Sequence, residues 1–140
     1  GVIHKKGGEV FSIQPDASVF EALKLMADKN TGAVLVLSNG QVDGILSERD
    51  CVRRMDLHGR IARETKVKDI MTSKVLYAQA SQTLEECVAI MLDKNIRHLP
   101  VFEDQELIGL ISARDALKEM VDQQKFVISQ LEHYITGGGR

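Results

Sequence analysis

The chain repeats itself. Shifted by 65 positions, Val10–Met55 falls on Val75–Met120 without a gap, so that LMADKN meets IMLDKN, VLVL meets LPVF and VDGILSERD meets LIGLISARD. Whatever the first copy folds into, the second must be able to fold into as well. Two copies are too few for a solenoid, which needs at least about three units to bury its core. The expectation is therefore a pair of like units packed face to face.

Each copy reads in the same order. Val10–Ile13 and Val75–Ala78 are short apolar stretches of strand type. PDASVFEALKLMADKN then places Val19, Phe20, Leu23 and Met26 at the spacing of a helix with one buried face. Ser18 with Glu21, and Thr83 with Glu86, match capping boxes that start this helix in each copy. AVLVL and HLPVF follow as strands, SNGQ and EDQE supply turns, and VDGIL and LIGLI make a further strand. A second helix is expected from Ser47 to about Leu57, and from Ser112 to about Val121. The fold class is thus α+β (α/β-like), with two β-α-β-β-α repeats packed pseudo-symmetrically as one module. Repeat 1 is placed at 7–62, a bridge containing VKDIMT at 63–73, repeat 2 at 74–122, and a C-terminal helix with a flexible tail at 123–140. The segment KFVISQLEHYI reads as that closing helix, with Phe126, Val127, Leu131, Tyr134 and Ile135 as an apolar stripe suited to homodimer contacts.

Composition narrows the class of function. A net charge of −2 over 140 residues gives no electrostatic grip on nucleic acid or anionic lipid. The basic stretch RRMDLHGRIARETKVKD is interrupted by acids and reads as a solvated linker face. No apolar run approaches the roughly 18 residues of a membrane span. Cys51 and Cys87 are too few for a disulfide framework and read as small buried hydrophobes. A cytoplasmic setting is expected, or the mitochondrial matrix in a eukaryote. The first residue, Gly1, suggests a trimmed N-terminus, and the closing helix and tail suggest a free-standing chain. There is no Walker loop, no G-x-G-x-x-G, no H-E-x-x-H and no Cys/His metal spacing, and His4, His58 and His133 are scattered; neither an enzyme nor a metal site is expected.

The phrase IRHLPV at 96–101, the bridge VKDIMT at 67–72 and the doubled Gly-h-h-Ser-x-x-Asp (h, apolar) resemble cystathionine-β-synthase-type (CBS) domains. The likeness spans nearly the whole chain and is greatest to small stand-alone CBS pairs of bacteria and mitochondria. It implies a regulatory module that senses an adenosyl nucleotide in the cleft between its repeats. AMP and NAD(H) are favoured, ahead of ADP, ATP and S-adenosylmethionine, and the protein it regulates is unidentified. Two other readings stay open, a structural dimerisation module with vestigial pockets and a regulatory fragment of a larger enzyme or transporter.

The residues themselves suit that ligand. In GLISARD, Ser112 caps the helix and Asp115 is its third residue, so both lie at the helix mouth, where free amides and the macrodipole favour an anion. A carboxylate accepts hydrogen bonds, which suits two vicinal ribose hydroxyls. Gly109 would let a ligand or a neighbouring backbone come close. GILSERD repeats the arrangement with Ser47 and Asp50, and an arginine precedes each aspartate, Arg49 and Arg114. The competing role is a plain capping box with Asp in place of Glu. Arg97 and His98 offer cations, which the resemblance assigns to phosphate; His98 could instead cap its strand. The matching positions of repeat 1 read Thr31-Gly32-Ala33, so the two sites should be unequal. Met71 and Thr72 of the bridge are candidate adenine contacts. Val10, Ile13, Val75 and Tyr77 serve equally well as core.

Overall fold

The structure, a computed structural model, describes residues 10–138. The expected start of repeat 1 at residue 7, His4, and the tail residues Gly139 and Arg140 lie outside the described residues. Two compact units divide the chain between Leu76 and Tyr77. The first holds β1 (Ser12–Ile13), α1 (Val19–Lys29), β2 (Ala33–Ser38), β3 (Gln41–Ser47), α2 (Glu48–Asp50) and α3 (Val67–Ile70). The second holds β4 (Ala78–Gln79), α4 (Leu84–Lys94), β5 (His98–Glu103), β6 (Glu106–Ser112) and α5 (Ala113–Gly138). Each contains a three-stranded sheet, β1-β2-β3 or β4-β5-β6, in which the first pair is parallel and the second is an antiparallel hairpin. The expected α+β duplication is what the chain forms.

Local chemistry sets the boundaries. Ser18 Oγ accepts from Glu21 N at 3.1 Å and Thr83 Oγ1 from Glu86 N at 3.1 Å, so each long helix begins on a satisfied amide. Each ends on an asparagine in the left-handed region, Asn30 at φ 51° and Asn95 at φ 53°. Val19, Ala22 and Met26 of α1 pack on Val34, Val36 and Leu46 to form the first core; Leu84, Cys87 and Met91 of α4 pack on Leu99, Val101 and Ile111 to form the second. Of the expected α1 face, Leu23 is only part-buried, and the half-buried Phe20 ring carries the Arg63 guanidinium at 3.8 Å.

Both hairpins turn through two residues with positive φ. The first uses Asn39 and Gly40 (φ 51° and 77°), the second Asp104 and Gln105 (φ 50° and 69°). Such turns want Asn-Gly or Asp-Gly, and an L side chain in the left-handed region costs about 1–2 kcal/mol. Gln105→Gly should therefore raise stability by about 0.5–1 kcal/mol in urea denaturation, after the added chain entropy of glycine is subtracted. A neutral or destabilising result would refute that assignment.

Three features differ from the sequence reading. The opening strands are shorter, and β4 starts at Ala78 rather than Val75, because only Ala78 and Gln79 pair with β5. The stretch RRMDLHGRIARETKVKD is not a solvated face throughout, since Val67 within it and Ile70 just after it are fully buried in the first core and Val67 N donates to Ala17 O at 2.9 Å. The two expected helices of the C-terminal region are one helix, Ala113–Gly138, with no cap or break near Val121. The sequence VDQQKF contains neither Gly nor Pro, so nothing there stops propagation. The repeat 1 counterpart does end where expected. After α2 it widens into a π-helical turn over Cys51–Met55, tightens to a 3-10 turn over Asp56–His58, and stops at Gly59 with φ 71°.

Candidate functional site

In the first unit the bridge runs along β3. Ile45 N donates to Thr72 O and Thr72 N to Ile45 O, both at 2.9 Å. Gly44 lies directly beneath, where a Cβ would stand 2.7 Å from Thr72 O and 2.8 Å from Met71 Sδ. The missing side chain of this glycine is therefore used by the protein's own backbone.

Ser47 ends β3 and caps α2. Its Oγ accepts from Asp50 N at 3.2 Å and donates to Asp50 Oδ2 at 3.0 Å, and Ser47 N donates to the same Oδ2 at 3.0 Å. The other carboxylate oxygen, Oδ1, accepts from Thr72 Oγ1 at 3.4 Å and faces Arg54 Nε at 3.9 Å. Arg54 Nη1 in turn donates to Met71 O at 3.1 Å. Ser47, Asp50, Met71 and Thr72 thus come together, and both oxygens of Asp50 are committed. Arg49 is half-buried and joins none of these bonds.

The second unit assembles the same phrase differently. His98 on β5 faces Ser112 on β6 in register, and Ala113 N donates to Arg97 O at 2.8 Å, so the basic pair lies against the start of α5. Ser112 Oγ accepts from Asp115 N at 3.0 Å. Asp115 is exposed, and among the described residues its carboxylate has no hydrogen-bond or ion-pair partner. Arg97 is exposed, His98 half-buried, and Arg114 exposed. Arg97, His98, Ser112 and Asp115 are therefore neighbours within one unit. In repeat 1 the equivalent backbone bond runs from Glu48 N to Gly32 O at 3.0 Å, where no basic side chain exists.

Arg54 was missed by sequence reasoning, although a signal was present: it stands four residues after Asp50, a helical ion-pair spacing. The position 65 further on is Glu119, an acid that cannot pair with Asp115. Of the proposed adenine-side residues, Tyr77 packs edge-on against Phe102 at 5.2 Å and Ile13 packs on the first core.

Both cysteines are free and buried. Burial, then the carboxylates of Asp50 and Glu48, pushes the Cys51 thiol up to about 11 from an ordinary 9.0; burial likewise raises Cys87. The folded chain holds these protons more tightly than the unfolded chain. The Cys51 contribution to stability is thus full below pH 9 and lost as pH rises towards 11. At pH 8 both thiols should react with iodoacetamide far more slowly in the native protein than in urea. Native labelling at the denatured rate would contradict this. Among the described residues no cluster of three or more His, Cys, Asp or Glu could hold a metal ion, and no helix is long and apolar enough to cross a membrane.

Two β-α-β-β-α units, each with a Ser-capped helix mouth carrying an aspartate one turn in, define a tandem of small α+β ligand-binding repeats. The CBS domain family model matches residues 4–57 and 67–122, and the chain belongs to that family. Pairs of these domains are regulatory ligand-binding modules. The mitochondrial CBS domain-containing protein CBSX3 of Arabidopsis thaliana is 34% identical over 128 residues, which cover 88% of this chain and 62% of that protein, so the chain spans less than two thirds of this relative. The solved CBS-domain protein ATU1752 of Agrobacterium tumefaciens is 33% identical with a TM-score of 0.79, covering 85% of this chain and 95% of that one. The CBS pair of protein MJ0100, solved with 5′-methylthioadenosine and S-adenosyl-L-methionine, shares the fold at 19% identity and a TM-score of 0.73, covering 83% and 91%.

Proposed function

We propose that this chain is a non-catalytic sensor of adenosyl nucleotides, AMP or NAD(H) first, and that the second repeat holds the ligand more tightly than the first. The carrying observation is the difference between two aspartates in identical phrases. Asp50 has both oxygens engaged inside its unit, whereas among the described residues the Asp115 carboxylate has no bonded partner, and its helix starts against the strand that carries Arg97 and His98. In this reading Asp115 accepts from the ribose hydroxyls, the Arg97 guanidinium and His98 meet the phosphates, and Arg114 adds positive charge nearby. The adenosyl ligands of the MJ0100 pair support the ligand class. Asp50 supports a subordinate reading for repeat 1 alone, a vestigial site closed by Thr72 and Arg54.

A thermal-shift panel of AMP, ADP, ATP, NAD, NADH and S-adenosylmethionine tests the proposal, followed by calorimetric titration with the best compound. A ligand at a hundredfold its Kd should stabilise the fold by about 2.7 kcal/mol, with one strong site per chain. No shift with any compound would remove the sensor reading. Two equal strong sites would remove the ranking of the repeats.

A further inference from the structure

The methionines of this chain are not equally covered. Met26, Met55 and Met91 are 3%, 8% and 3% exposed and belong to the two cores, whereas Met71 and Met120 are half-buried. Met120 packs on the second core. Met71 stands at the C-cap of α3, and its side chain lies across the buried Gly44. Its Sδ and Cγ come within 2.8 and 3.1 Å of the point where a Cβ on that glycine would be. Its carbonyl accepts from Arg54 Nη1 at 3.1 Å. The next residue, Thr72, is paired with Ile45 through both main-chain bonds and donates from Oγ1 to Asp50 Oδ1 at 3.4 Å. One thioether thus sits at the junction of α3, β3 and the α2 cap, and the nucleotide contacts proposed for the second repeat leave it unused.

Peroxides oxidise a thioether to a sulfoxide, which turns a flexible apolar side chain into a polar one and is reversed by methionine sulfoxide reductases. With hydrogen peroxide the O–O bond breaks, one oxygen forms an S–O bond on Sδ, the other leaves as water, and the sulfur gives up two electrons. The new oxygen then needs a hydrogen-bond donor. The flanking amides cannot serve, because Ile45 N and Thr72 N already donate to each other's carbonyls at 2.9 Å. Holding the oxygen there unpaired is unfavourable, so the oxidised side chain must turn out to water. It then gives up its contacts with Gly44 and with the first core. The other sulfurs compete poorly for oxidant. Three methionines are covered, and both thiols are buried and shifted up, away from the reactive thiolate. We propose that Met71 is a reversible oxidation site for hydrogen peroxide, and that its sulfoxide loosens the bridge from β3 and releases Thr72 and Arg54 from Asp50. The site uses neither Asp115 nor the basic pair, so it stands or falls separately from nucleotide binding at the second repeat.

Peptide mass mapping of the native chain in millimolar peroxide reads the first step. Met71 should gain oxygen at least about tenfold faster than Met26, Met55 and Met91, which react only when their cores open. In the oxidised protein the Ile45 and Thr72 amides, followed by NMR, should exchange with deuterium at least about tenfold faster. The melting temperature should fall by about 4 °C. Methionine sulfoxide reductases A and B together, one for each sulfoxide epimer, should restore both values. Met71→Leu conserves volume, so it should melt close to the wild type and lose both responses to peroxide, whereas Met120→Leu should keep them. Oxidation of Met71 no faster than the core methionines would overturn the proposal. So would a Met71 sulfoxide with unchanged amide exchange and melting, or a Met71→Leu chain that still responds. Mapping and exchange on the wild-type chain alone decide the matter if Met71→Leu does not fold.

Discussion

Asp115→Ala is expected to remove most of the nucleotide-induced thermal shift and to leave the melting temperature of the free protein nearly unchanged. Asp50→Ala is expected to do the reverse. The two aspartates occupy the same place in the repeat, yet their hydrogen bonds differ. Removing the Asp115 carboxylate deletes no bond to the described residues, so its cost to the fold should stay within about 0.5 kcal/mol. A carboxylate bonded to two ribose hydroxyls contributes about 1.5–3 kcal/mol to binding, which corresponds to a loss of roughly ten- to a hundredfold in affinity. Asp50→Ala strips the partner from Ser47 N, Ser47 Oγ and Thr72 Oγ1, and should cost about 1–2 kcal/mol of stability with little change at the strong site. Titration of the three proteins, with urea denaturation of each, decides the matter. If Asp50→Ala abolished binding while Asp115→Ala bound normally, the ranking of the repeats would be reversed. If Asp115→Ala unfolded the chain, its role would be capping.

Much of this architecture can be read from the letters, because the informative features are local. The 65-residue shift, the Ser18 and Thr83 caps, and the two-residue hairpins each depend on a few neighbouring side chains, and each appears where the sequence puts it. The closing helix was misread for a physical reason. Repeat 1 stops its second helix with a π turn and Gly59, and the repeat suggested a similar stop near Val121. No such residue stands there, so propagation continued. The fate of Asp50 was likewise hidden. S-x-x-D is the same text in both copies, and what separates them is a contact from 22 residues away, Thr72, together with Arg54 on the next turn. Only placement of the bridge against β3 brings those atoms together.

Gly44→Ala is expected to be among the most damaging single-methyl additions in this chain. Its Cβ would sit 2.7 Å from Thr72 O, a main-chain atom already held by Ile45 N at 2.9 Å, and 2.8 Å from Met71 Sδ. The thioether can swing aside, but the carbonyl cannot move without breaking the paired bonds between Ile45 and Thr72. Overpacking of this kind costs about 1–3 kcal/mol, and the upper end applies where backbone must yield. The displacement should also pull Thr72 Oγ1 from Asp50 and the Met71 carbonyl from Arg54. A second substitution, Asp50→Ala, then has less left to lose. The double substitution should fall short of the sum of the two single effects by about 0.5 kcal/mol or more, the sign of shared contacts. Urea denaturation of wild type, both single variants and the double variant closes this cycle. Strict additivity would show that the bridge and the α2 cap are independent, and a neutral Gly44→Ala would show that the bridge does not run over β3 at all.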